Sequence, residues 1–192
     1  FTPANGAVAT NYTLPTTASG AGHITAATVT ATFTAADKTY DGNNTADVSN
    51  CSIATGKVGS DDVGCTIASG TFASANASPA AQTVSATATL TGTTAPNYTI
   101  TNPVTKSAAA KINPKPVTAT ITASDKTYNK TNTATITACS LTGVLAGDTG
   151  NVTCAGSAAT FASSNASMSA QTVTATVTLS GSASANYSVT NP

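Results

Sequence analysis

The chain has no arginine, no glutamate and no tryptophan, and only one histidine (His23) and one methionine (Met168). Charged residues make up 7% of it, with seven lysines balancing seven aspartates. A neutral surface without arginine offers no footprint for nucleic acid or an anionic membrane. No apolar run approaches the roughly 18 to 20 residues of a membrane helix. A lone histidine, no glutamate and no repeated acid pair leave no nucleophile–base arrangement, so no catalytic residue and no cofactor is expected. The strong helix formers are scarce, whereas threonine and valine are plentiful, and the composition points to an all-β protein.

What the chain does have is itself, twice. Asp37-Lys38-Thr39-Tyr40 returns 88 residues later as Asp125-Lys126-Thr127-Tyr128, and Cys51 returns as Cys139. After one inserted residue the offset is 89, pairing Cys65 with Cys154, Phe72 with Phe161 and Tyr98 with Tyr187. Asn11-Tyr12-Thr13-Leu14 echoes Asn97-Tyr98-Thr99-Ile100, so a third copy is already ending as the chain opens. The expected division is residues 1–22 as the tail strand of a preceding repeat plus linker, 23–109 as the first repeat and 110–192 as the second. Arrays of one small unit generally supply length, spacing or many weak contacts.

Two-residue alternation marks the strands. Val29, Ala31 and Phe33 alternate with threonines, as do Val117, Ala119 and Ile121; Val84 to Leu90 and Val173 to Leu179 repeat the pattern. Each reads as a half-buried strand with an apolar inner face and a threonine-covered outer one. Shorter strands are expected at Thr45–Ile53, Gly64–Ile67, Gly70–Ala73 and Asn97–Thr101, separated by Gly, Asn, Asp and Pro turns. The pattern predicts tandem immunoglobulin-like antiparallel β-sandwich repeats. Pro114 and Pro116 stiffen the seam within 108–116, which is expected to hold consecutive domains apart.

Lys38-Thr39-Tyr40-Asp41-Gly42, Gly59-Ser60-Asp61-Asp62-Val63, Asn97-Tyr98-Thr99-Ile100 and the boundary Ile112-Asn113-Pro114-Lys115-Pro116-Val117 resemble the YDG-type repeat. That repeat, like the related MBG type, occurs in tandem in large secreted bacterial surface proteins resembling filamentous haemagglutinin adhesins. The second unit departs from the pattern, because Tyr128 is followed by Asn129-Lys130. The resemblance implies an extracellular or cell-surface stalk-like or adhesive role and carries no catalytic residue. The expected partners are neighbouring repeats of the same chain, with homotypic fibre packing or host surface glycans beyond them.

Four cysteines allow three pairings. Repetition favours the one that treats both units alike, Cys51–Cys65 and Cys139–Cys154. Such loops would stabilise each small unit by roughly 3 kcal/mol and place the chain in an oxidising compartment. Neither pair has metal-knuckle spacing, and no metal site is expected. Tyr98 and Tyr187, just after a turn and at the start of a late strand, fit a tyrosine corner, whose hydroxyl bonds back to the chain. Tyr40 and Tyr128 fit packing at the edge of the core.

Competing readings meet internal tests. Asp37, Asp41, Asn43 and Asp47 could suggest calcium, but three of the four lose their counterparts in the second unit. A cross-link from Lys38 to Asn97, or Lys126 to Asn186, would need Asp37 or Asp125 as catalyst, and adjacent strand residues face opposite ways. The alternative function is binding of glycans or ice through the threonine-rich strand faces. Glycan sites usually need exposed aromatics, which are few here, and a twisted sandwich lacks the long flat lattice that ice demands.

Overall fold

The computed structural model describes residue 17 and residues 19–190. The expected tail strand therefore lies mostly outside the described residues; from 19 to 26 the chain is exposed and forms no strand. The first unit runs β1 (Ala27–Ala35), β2 (Lys38–Thr39), β3 (Thr45–Ala46), β4 (Val48–Thr55), β5 (Gly64–Ile67), β6 (Gly70–Phe72), β7 (Gln82–Ala86) and β8 (Ala88–Thr91). After a short 3₁₀ turn (Ala95–Asn97) it continues with β9 (Tyr98–Ile100), β10 (Val104–Ala110) and β11 (Ile112–Asn113). The second unit has β12 (Lys115–Ala123), β13 (Ile136–Thr142), β14 (Thr153–Phe161), β15 (Val173–Ser180) and β16 (Tyr187–Thr190), with 3₁₀ turns at Ala146–Asp148 and Ser184–Asn186.

The protein is predominantly β, and the alternating segments supply its main strands. In the first unit one sheet is ordered β4-β1-β9 and another β10-β7-β6-β3; β5 pairs with β8. The second unit repeats the first arrangement as β13-β12-β16 and joins β14 to β15. The pairing is not wholly antiparallel. β1 runs parallel to β9, β12 to β16, and β11 to β2. The threonine rows that face outward bond across strands, Thr30 to Thr55 at 2.6 Å and Thr34 to Ser49 at 2.9 Å, so part of their hydroxyl capacity is spent within the sheet.

The apolar faces meet in a cluster built on Phe33, Phe72, Val84 and Ile112. Each such side chain stabilises the fold by about 1.5–3 kcal/mol on burial. That cluster does not stop at the unit boundary: it includes Val117, Val152, Ala183 and Tyr187 of the second unit. The expectation that the proline-rich seam holds the units apart is therefore corrected. Ile112 is wholly buried, and β11 pairs with β2, so the seam is stitched into the first unit's sheet and draws the second unit onto it. Pro114 falls between β11 and β12, where its missing amide interrupts no ladder.

Candidate functional site: the joint between the units

Each unit carries the same lock at its leading end. The 3₁₀ turn after β8 delivers Tyr98, whose hydroxyl donates to Asp61 Oδ2 at 2.6 Å and accepts from the Val58 amide at 3.0 Å. Tyr187 does the same to Asp148 Oδ2 (2.6 Å) and the Leu145 amide (3.1 Å). The late strand is thereby tied to the long loop between the cysteine strands. The hydroxyls of Tyr98 and Tyr187 do bond back to the chain; of the receiving carboxylates, the sequence marked Asp61 only as part of Gly59-Ser60-Asp61-Asp62-Val63 and did not single out Asp148.

In the second unit this lock is also the joint. Tyr40 of the first unit donates to Asp148 Oδ2 at 3.0 Å, so one carboxylate oxygen holds a hydroxyl from each unit. The rings of Tyr40 and Tyr187 meet edge to face at 5.6 Å, a favoured aromatic arrangement. Beside them, the buried Asn186 side chain accepts from the Ala77 amide at 2.8 Å and donates to Asn76 Oδ1 at 3.2 Å. Backbone bonds seat the seam: Lys38 N–H to Lys111 O (3.1 Å), Tyr40 N–H to Asn113 O (2.8 Å) and Ser78 N–H to Ile112 O (2.9 Å). Asp37 accepts from the Lys111 amide at 2.9 Å.

Burial, the Asp148 hydrogen bond and the Asp148 charge push Tyr187 up to about 12 from its ordinary 10.0. The same causes, in the same order, raise Tyr40. Tyr98 is raised by its hydrogen bond to Asp61 and then by burial. A phenol whose folded pKa lies above the unfolded one contributes stability that is complete below pH 10 and is lost as pH rises toward 12. The joint is therefore expected to open in that alkaline window. An ultraviolet phenolate titration should show tyrosine ionising late and together with loss of structure; full titration near pH 10 with the fold intact would contradict it.

The other sequence-selected residues have local partners. Cys51 on β4 bonds Cys65 on β5, Cα to Cα 5.6 Å, and Cys139 on β13 bonds Cys154 on β14 at 5.7 Å. Lys38 reaches Asp41 at 2.7 Å, Asn43 Oδ1 at 2.9 Å and the Thr45 carbonyl at 3.1 Å. Lys126 closes the matching loop through Thr131 and the Thr133 carbonyl. Both lysines thus organise turns and are not engaged with Asn97 or Asn186, and Asp41 is engaged with Lys38 and the Asn43 amide. Tyr128 differs from expectation. Tyr40 is 6% exposed and Tyr128 57%, because Tyr40 packs on Tyr187 and reaches Asp148 of the second unit.

The family model of the YDG domain matches residues 25–107 and again residues 113–192. The chain belongs to the YDG domain family. No curated protein and no solved structure gave a match. The Tyr40-Asp41-Gly42 triplet of the first YDG unit has three distinct tasks. Tyr40 reaches across to Asp148, Asp41 closes the turn with Lys38, and Gly42 takes a positive φ of 84° beside Leu145. A Cβ there would stand 3.5 Å from the Leu145 methyl, so the tight turn lies against the second YDG unit.

Proposed function

We propose that this YDG chain is a non-enzymatic structural segment of an extracellular bacterial adhesin, stalk or fibre, its repeats being immunoglobulin-like sandwiches stacked end to end. The observation that carries this reading is the joint: consecutive units share one apolar cluster and one carboxylate, where a flexible linker would leave each unit its own core. A joint of this kind converts repeat number into length and resists bending, which is what a projecting stalk requires. The two disulfides support an oxidising location, at the cell surface or secreted. Homotypic packing is consistent with a surface that carries almost no charge to repel its own kind.

Small-angle X-ray scattering of the dilute chain should give the profile of one rigid elongated particle, unchanged between low and high salt. A profile of two beads on a flexible tether would overturn the stalk reading. Tight binding to a defined sugar on a glycan array, or ice shaping by the pure chain, would replace it with the binding alternative. The cross-strand threonine bonds count against that alternative, since they leave fewer free hydroxyls to present.

A further inference from the structure

In both units an early strand lies beside a late one and runs the same way. β12 pairs parallel with β16, from Lys115↔Tyr187 to Thr118↔Thr190. β1 pairs parallel with β9, from Ala27↔Tyr98 to Val29↔Ile100. The first unit adds a second such pair, β11 on β2, at Ile112↔Lys38 and Asn113↔Thr39. Direction matters when the chain is pulled along its length. Tension draws β12 back from its first residue and β16 forward from its last, and these lie at opposite ends of the pair. The strands must slide past one another, so their evenly spaced hydrogen bonds are strained together. Two strands pulled at ends that lie together would instead open one bond at a time.

Sliding is opposed by what these strands bury. Val29 and Tyr98 are buried in the first unit, Val117 and Tyr187 in the second. A slip of one residue would turn each of them toward the solvent face. Tyr98 and Tyr187 are also the first residues of β9 and β16, and each is pinned by its hydroxyl to a carboxylate, Asp61 or Asp148. In the first unit Lys106 ties β10 to β1 through the Phe33 carbonyl, and Asp37 holds the Lys111 amide beside the β11–β2 pair, each at 2.9 Å. Only Pro114 separates β11 from β12, so tension passes from one unit to the next with almost no slack. The disulfides lie off this path. Each closes a loop between the paired strands and withholds it from extension after a unit has opened.

We propose that the parallel pairs make each unit a shear clamp, which lets the chain carry tension along its length without unfolding. This mechanical function deepens the stalk reading, on which its use rests: a projecting stalk is pulled as well as bent. Forced unfolding is governed by the unfolding barrier and not by equilibrium stability, so a unit of modest stability can still hold against a pull. The disulfides set how far an opened unit lengthens. With separations of 14 and 15 residues and Cα–Cα distances of 5.6 and 5.7 Å, each withholds about 45 Å of extended chain.

Optical tweezers on the full chain test it, with handles joined in two ways. Pulled between its termini, the chain should open in two abrupt ruptures, one for each unit. In the second arrangement one handle sits on the exposed Thr127, beyond the far end of β12, and the other stays on the C-terminus. That geometry pulls on ends of β12 and β16 that lie together, so the pair peels open starting from Thr118 and Thr190. The ruptures between the termini should need several-fold more force than this peeling. Tyr187→Phe should lower the force between the termini and leave the peeling force nearly unchanged, because peeling starts at the end opposite the pin. A general loss of stability would lower both. Reducing the disulfides should lengthen each release by about 45 Å. Equal forces in the two geometries, gradual opening between the termini, an equal effect of Tyr187→Phe in both, or releases unchanged by reduction would each overturn the proposal. A flexible tether in the scattering experiment together with high rupture forces would remove the stalk reading and leave the clamp. A rigid rod that opens at low force would do the reverse.

Discussion

Replacing Tyr187 by alanine is expected to cost about 3–5 kcal/mol and to split one unfolding transition into two. The ring is 5% exposed and packs on Tyr40, and the hydroxyl holds Asp148 and the Leu145 amide. Truncation opens a cavity inside the cluster that both units share and leaves a half-buried carboxylate with one donor fewer. Its counterpart, Tyr98→Ala, is the control. It removes similar packing and a similar hydrogen bond to Asp61, but at the leading face, where among the described residues no second unit is docked. Calorimetry should therefore show a single cooperative transition for the parent, a lowered single transition for Tyr98→Ala and two transitions for Tyr187→Ala. Tyr187→Phe keeps the ring and should lose only about 1–3 kcal/mol. Two transitions in the parent chain, or identical behaviour of the two alanine variants, would show that the shared cluster does not couple the units.

The strands were legible because one face of each is buried, and burial writes a period of two into the sequence. The Thr/Val alternation at 28–34 is β1, and that at 117–122 lies within β12. The run from Val84 to Leu90 shows where this signal stops. Alternation continues through it, yet the chain breaks at Thr87 so that β7 pairs with β10 while β8 pairs with β5. At the break the Asn102 side chain stands in for a strand neighbour, bonding the Ala88 amide at 2.9 Å and carbonyl at 3.0 Å. β10 itself was not foreseen. Its Lys-Ser-Ala-Ala-Ala end carries no polar/apolar alternation, and the Lys106 ammonium reaches back to cap the Phe33 carbonyl at 2.9 Å. The parallel pairs were equally hidden, since direction of pairing leaves no mark on local periodicity.

The joint was half legible. Repetition singled out Tyr98 and Tyr187, but it also presented Tyr40 and Tyr128 as equals, and only a neighbour distinguishes them. A comparison of two copies finds what each unit needs for itself and is blind to what one unit needs from the next. Asp61 and Asp148 stand 87 residues apart, off both the 88 and the 89 offsets, because β4 carries a register shift against β1 that β13 lacks against β12 at the matching place, and the second copy's loop then lengthens beyond the aspartate. The signal that was present is Ile24 matched to Ile112: a large apolar residue kept at a seam, outside the unit it begins, marks a side chain buried in its neighbour.

Removing the disulfides is expected to have unequal consequences although the two loops are nearly the same length. Sequence separations of 14 and 15 put the chain-entropy loss at roughly 3 kcal/mol for either pair. A unit of this size has about 4–12 kcal/mol in all, so each loss is large. Both bridges join strands that lie in different sheets: β4 belongs with β1 and β9, while β5 pairs with β8. Each also closes the loop that holds the tyrosine's carboxylate, Asp61 in one case and Asp148 in the other. Freeing the first loop loosens a face on which, among the described residues, no second unit packs. Freeing the second releases the residue that binds both Tyr40 and Tyr187, so stability and coupling fall together. Cys139→Ala/Cys154→Ala should therefore reproduce the two-transition behaviour of Tyr187→Ala, and Cys51→Ala/Cys65→Ala should lower a single transition by about the same energy. Hydrogen exchange gives the local readout. The Tyr40 amide, bonded to Asn113 across the seam, should lose protection in the second pair of substitutions and keep it in the first. Equal loss in both would mean that the bridges act only by restricting the unfolded chain and have no part in holding the joint.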